Sequence, residues 1–194
     1  MSGKSISCAI AGAMLIVSVG TTANAEMDAM KISFERTMMV GGAPMYPSRN
    51  IIQNAVNSKD HTTLVAAVKA AGLVETLSGA GPFTVFAPTN AAFAKLPAGA
   101  VDSLVKPENK PTLTKVLTYH VVAGRLSAAD LAAKVKAGGG KAALTTVAGE
   151  TLTVASKGGA LWLWDVKGGA SRVTIANVNQ SNGVIHVIDT VLMP

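Results

Sequence analysis

Between Asp60 and Val135 apolar residues recur three and four positions apart, the spacing of helices with one face turned inward, and beyond Gly138-Gly139-Gly140 the spacing becomes two. Leu64, Val65 and Val68 give one apolar side to a helix capped by Asp60, running to about Ala71 and ended by Gly72. Asn90 caps a second helix that carries Phe93 and Leu96 inward. Asn109 with Pro111 starts a third that ends near Leu117, and Ser127 with Asp130 forms a capping box for a fourth through Val135. The even-spaced half reads as strands Leu144–Val147, Thr151–Val154, Leu161–Val166, Arg172–Val178 and Val184–Val191, separated by Gly149, Gly158-Gly159, Gly168-Gly169 and Asn182-Gly183. Two short strands stand among the helices: Phe83–Ala87, stopped by Pro88, and Tyr119–Val122. The pattern predicts an α+β domain with helices packed beside a small twisted β-sandwich wound as a meander.

The last strand is the most informative stretch. Val184, His186 and Ile188 share one face and Ile185, Val187 and Val191 the other, so neither face suits water and the strand is expected to be covered on both sides. Asn182-Gly183 before it reads as a hairpin turn in which Gly183 takes positive φ. His186 and His120, each set among Val and Ile, read as core histidines held by hydrogen bonds, whereas His61, near a helix start, reads as solvated.

Three segments in order carry a resemblance. Gly81-Pro82-Phe83-Thr84-Val85-Phe86-Ala87-Pro88-Thr89-Asn90-Ala91-Ala92-Phe93 resembles the first signature box of the fasciclin domain, Ser181 to Asp189 its second, and Tyr119-His120-Val121-Val122 the Tyr-His element between them. The likeness spans about Ser48 to Pro194, and Met39 to Pro47 is similar to the lead-in of small secreted bacterial members. It implies a fasciclin-like fold and a non-catalytic role in adhesion to cell surfaces or extracellular matrix. Animal members of the family use the Tyr-His region and an Asp-Ile pair before the second box as integrin contacts. The corresponding positions are Tyr119 and His120, and Asn177 and Val178, where the carboxylate that an integrin-bound metal needs is missing. A bacterial surface, matrix protein or anionic polysaccharide is therefore the expected partner.

The amino terminus sets the expected compartment. Lys4, an apolar run from Ala9 to Val19 and the small residues of Ala23-Asn24-Ala25 read as a secretory signal over residues 1–25, too short to serve as a membrane span. Residues 26–47 form a Met-, Gly- and Pro-rich lead-in whose Gly41-Gly42, Pro44 and Pro47 interrupt regular structure, and residues 48–194 the domain. The one cysteine, Cys8, falls within the signal outside a lipoprotein-like context, so neither disulfide nor lipid tether is expected in a secreted periplasmic or extracellular chain, and nucleic acid is an improbable partner.

Charge separates the two halves. Residues 26–105 carry six Lys/Arg against six Asp/Glu and residues 106–194 carry ten against five, so the whole basic excess of the mature chain lies in the second half. Lys141, Lys157, Lys167 and Arg172, in or near predicted turns, offer a basic rim to an anionic surface, although no aromatic residues interleave with the charges along the chain. Scattered solubilising lysines are the plainer reading.

Catalytic patterns are missing. Gly140-Lys141 lacks the first glycine and the Ser/Thr of a phosphate loop, since Val135 and Ala142 stand there. No nucleophile elbow, zinc-protease helix or Cys-x-x-Cys occurs, and the odd offset of His186 from Asp189 sends them to opposite faces of a strand. No catalytic residue, metal site or cofactor is expected. A second functional class stays open: Met27, Met30, Met38, Met39 and Met45 can offer thioethers to Cu(I) or a small ligand in a periplasm, or can pack as a docking tail. No pattern in the chain speaks to its oligomeric state.

Overall fold

A computed structural model of the protein describes residues 37–194. The expected signal, Met27 and Met30 lie outside the described residues. The elements run in chain order β1 (Met38–Val40), β2 (Ala43–Met45), α1 (Ile51–Ala55), α2 (Thr62–Ala71), α3 (Val74–Ser78), β3 (Phe83–Pro88), α4 (Asn90–Ala94), α5 (Ala100–Leu104), α6 (Lys110–Tyr119), β4 (Val121–Ala123), α7 (Ala128–Ala137), β5 (Lys141–Thr145), β6 (Thr151–Lys157), β7 (Ala160–Trp164), β8 (Ala170–Gln180) and β9 (Gly183–Ile188). Among the described residues no helix is long and apolar enough to cross a membrane.

Strands β3 to β9 form one seven-stranded sheet in the order β4-β3-β9-β8-β7-β6-β5. Its two ends meet: Val122 bridges Thr146, and the Val147 amide donates to the Val121 carbonyl at 2.7 Å. The α+β class and the meander of β5 to β9 are as expected, and the twisted sheet beside the helices curls on itself into a barrel-like form. The one parallel pairing sets β9 beside β3, with Phe83 opposite Gly183 and Pro88 opposite Ile188. All six residues of β9 are buried because each of its faces meets a different core. Ile185 and Val187 face the helices with Val85, Ala87, Leu64, Val68, Val116 and Leu117. Ile188 lies on the barrel side with Phe86, Tyr119, Leu131, Leu152, Val154 and Leu163.

Several local expectations are corrected. Residues 38–45 form a hairpin, β1 with β2, that turns at Gly41-Gly42 and buries Val40 and Met45, so this described part of the lead-in packs into the core. Asp60 caps nothing: it lies in a 3₁₀ turn, and α2 begins at Thr62. Asn90 caps α2 from a distance, accepting the Thr63 amide at 3.0 Å and donating to the Lys59 carbonyl at 2.8 Å, while Thr89 caps Asn90's own helix. Tyr119 is the last residue of α6, not the first of a strand, and His120 caps that helix. By contrast, Ser127 and Asp130 form the expected capping box.

Gly183 does not have positive φ. Its need for glycine is one of approach, since an added Cβ would fall on the Phe83 carbonyl of the neighbouring parallel strand. Asn182, in the turn before it, is a junction. Its Oδ1 accepts the first amide of α1, at Ile51, from 3.1 Å, and its Nδ2 donates to the carbonyls of Leu77 and Gly79 at 2.8 and 2.9 Å. One amide side chain thus ties the β8–β9 turn to α1 and the end of α3. Arg125 adds hydrogen bonds to the Gln180 and Gly183 carbonyls around the same turn.

Candidate functional site

The histidines are built into this scaffold. His120 is 3% exposed; its Nδ1 bonds the Val116 carbonyl at 2.8 Å and its Nε2 accepts the Leu192 amide at 3.1 Å, which fixes the Nδ1–H tautomer. Burial pushes its pKa down to about 4, against weaker raising effects from the Val116 carbonyl and Asp165. His186 is fully buried, stacks on Phe86 at 5.6 Å and bonds the Leu126 carbonyl through Nε2 at 2.9 Å; burial lowers its pKa too. His61 is also buried, contrary to the solvated reading. Its Nδ1 meets Ser58 Oγ at 2.9 Å, its Nε2 has no partner among the described residues, and burial lowers its pKa despite nearby Asp60. All three rings are placed to stay neutral.

The contact residues taken from the family resemblance are interior or engaged. Tyr119 has no exposed surface and donates its hydroxyl to the Thr151 carbonyl at 3.0 Å, so Tyr119 and His120 brace α6 against the barrel rather than reach outward. Val178 is 1% exposed. Asn177 is exposed, yet it occupies a left-handed position (φ 61°) in the irregular part of β8 and accepts the Ala128 amide at 2.7 Å, supplementing the cap of α7. Its side chain is thus committed to the start of α7. Met38 and Met45 pack in the core and only Met39 projects, so the described methionines do not converge on a ligand site. Among the described residues no group of three or more His, Cys, Asp or Glu is placed to hold a metal.

The basic residues gather differently. Strand register aligns Lys141 with Ala155, Ala155 with Trp162, and Trp162 with Arg172, so these four stand in one row across β5, β6, β7 and β8 on the same face. The next row is Ala143, Thr153, Trp164 and Ala170, and on the other side Lys157 stands opposite Ala160. Arg172 is thus a strand residue and not a turn residue, and Lys141 and Lys157 begin and end their strands. Lys167 alone sits in a turn, shaped by Asp165, which accepts the amides of Lys167 and Gly169. All four cations are exposed, and none forms an ion pair among the described residues.

Trp162 and Trp164 are the two tryptophans of the chain. Their rings lie side by side, 6.2 Å between centroids and 33° apart in plane, half-buried between the cations. The strand positions on this face hold only Lys, Arg, Thr, Ala and Trp, because alternation sends Asp165 inward to bond the Met193 amide at 3.0 Å. Aromatics and charges do interleave, across strands rather than along the chain. Two tryptophans two residues apart in a strand carry that signal in the sequence, since parity alone gives them one face.

The fasciclin-domain family model matches residues 59–194. Protein sll1483 of Synechocystis sp. is 48% identical over 174 residues, covering 90% of this chain and 87% of that protein. The cell surface glycolipoprotein MPB83 of Mycobacterium bovis is 39% identical over 122 residues, 63% of this chain and 48% of its own. In fold, the chain is similar to a FAS1 domain pair from the insect cell adhesion molecule fasciclin I, with TM-score 0.67 and 19% identity over 75% of this chain and 51% of that one.

Proposed function

The chain belongs to the fasciclin family, and on that premise we propose that it is an exported, non-catalytic adhesion module that binds a cell surface or extracellular matrix. The carrying observation is the contrast between a satisfied interior and an exposed sheet face on which cations gather beside the two tryptophans. The histidines, Tyr119, Asn182 and Asn177 are committed to the fold, whereas Lys141, Lys157, Lys167 and Arg172 are exposed without carboxylate partners. Unpaired exposed cations add little to stability and are available to an anionic surface, with an attraction that salt screens. A relative named as a cell surface glycolipoprotein supports the same reading.

The test is a pulldown of the chain from Glu26 onward against whole cells and matrix fractions over a range of salt concentrations. Binding that weakens as salt rises, and that falls when Lys141, Lys157, Lys167 and Arg172 are changed together to Gln, is the expected result. Absence of any binding to cells or matrix would overturn the proposal.

A further inference from the structure

We propose that the face formed by Trp162, Trp164, Lys141, Lys157 and Arg172 is a binding platform for an acidic polysaccharide. This rests on the adhesion reading and names its ligand chemistry. Indoles on an exposed strand surface are poorly used for stability, since a ring that is only half-buried forgoes part of the area it could remove from water. Trp162 and Trp164 nevertheless stand next to each other, with centroids 6.2 Å apart, and present adjacent ring surfaces on the outer side of β7. A pyranose ring has an apolar face of C–H bonds that carry slight positive charge, and this matches the negative face of an indole. Two indoles in register offer two neighbouring stacking positions along a chain of sugars.

The surroundings decide what kind of sugar. Lys141 and Arg172 end the row that contains Trp162, three strand spacings apart, on the order of 14 Å at the usual separation of strands. Ala155 lies between Lys141 and Trp162 and is only 6% exposed, so longer neighbours close over it and continue the surface. Lys157 flanks the platform on the side of Ala160. No strand position on this face is acidic, and a neutral glycan would leave three unpaired cations around the rings. Carboxylate or sulfate groups on alternate sides of a polysaccharide give each cation a partner in a charge-assisted hydrogen bond. Arg172 and Thr174 also lead into an open groove of about 380 Å³ against Ala128 and Ala132 of α7, which gives a chain longer than two sugars a path off the platform.

The experiment uses the two tryptophans as their own reporters, since no other residue in the chain has indole fluorescence. The chain from Glu26 onward is titrated with a polyuronate, a sulfated glycosaminoglycan, neutral dextran, and vesicles of anionic phospholipid. Expected are a fluorescence change and saturable binding with an acidic polysaccharide, weakening between about 50 mM and about 500 mM salt, and little response to dextran. Trp162→Ala with Trp164→Ala, which keeps no indole to report, is compared with the wild type by titration calorimetry and should bind the acidic polymer at least about tenfold more weakly at fixed salt. Lys141→Gln with Arg172→Gln should flatten the salt dependence while the fluorescence response to bound polymer persists. That second pair guards against loss of fold in the tryptophan variant, because it leaves the rings in place. Equal binding by wild type and both variants, no fluorescence response to either acidic polymer, or stronger binding to phospholipid vesicles than to both polymers would each overturn the proposal. Cell binding measured in parallel separates it from the parent reading. Variants that keep full cell binding leave the adhesion module standing and remove only this platform.

Discussion

Acid should unfold this protein through His120, and the size of the effect follows from its surroundings. In the folded chain both ring nitrogens are used by backbone groups, Nδ1 donating to Val116 and Nε2 accepting from Leu192, so a second ring proton would point at the Leu192 N–H. Burial accordingly moves its pKa from 6.5 to about 4. Above pH 6.5 both folded and unfolded chains hold the ring neutral and nothing is lost. As pH falls below 6.5 the unfolded chain takes the proton first, and stability declines until about pH 4, below which both states carry it. At about 1.36 kcal/mol per pKa unit the complete loss is roughly 3 kcal/mol, of which about 2.5 is reached by pH of about 4.5. Burial lowers His61 and His186 as well, so the wild type should lose more than this between those limits. The informative comparison is urea unfolding of wild type and His120→Gln at pH of about 7.5 and about 4.5. The variant should start lower, by about 1–3 kcal/mol for imperfect replacement of two buried hydrogen bonds. It should then fall less steeply with acid, by about 2.5 kcal/mol, because its side chain takes up no proton. Equal acid slopes for the two proteins would refute the reasoning, whatever the difference at neutral pH.

Three further outcomes are expected. Gly183→Ala should destabilise the domain by about 1–3 kcal/mol through overpacking against the Phe83 carbonyl, whereas Gly158→Ala, at positive φ but with open space around it, should show only a backbone penalty of about 1 kcal/mol; thermal melts compare the two. Asn182→Ala removes three hydrogen bonds and strands the Leu77 carbonyl, so it should cost about 2–4 kcal/mol in denaturant unfolding, and a loss below about 0.5 would show that the junction is dispensable. Export should leave a mature chain beginning at Glu26, which N-terminal sequencing of released protein reads directly; a chain still beginning at Met1 would refute it.

Periodicity and glycine placement made the fold legible where local chemistry determines structure. The meander after Gly140, the capping box of Ser127 with Asp130, and the two buried faces of β9 are all visible in residue order. Where a partner distant in sequence decides the outcome, residue order misleads. Asn90 looks like the cap of its own helix but serves α2, and Gly183 looks like a turn glycine but yields to Phe83. Tyr119 and His120, in an apolar stretch read as a strand, are the last residue and the C-cap of a helix, and the strand begins only at Val121. The candidate site divides in the same way. Its cations were visible as a rim, but the row that joins Lys141 to Arg172 through Trp162 exists only once three strand pairs fix their register.

The parallel pairing of β3 with β9 bears on how the chain reaches its folded state. Phe83 and Gly183 are partners separated by 100 positions, and β4 depends on β3 for its pairing. Closing so long a loop is slow relative to forming the helices or the β5–β8 hairpins. While a ribosome is still making the polypeptide, β3 has no β9 to join until Ile188 has been delivered, so the barrel cannot close before that point. The order of strands along the chain thus sets the order of assembly: the helices and the β5–β8 meander can form first, and the parallel pair that closes the barrel comes last.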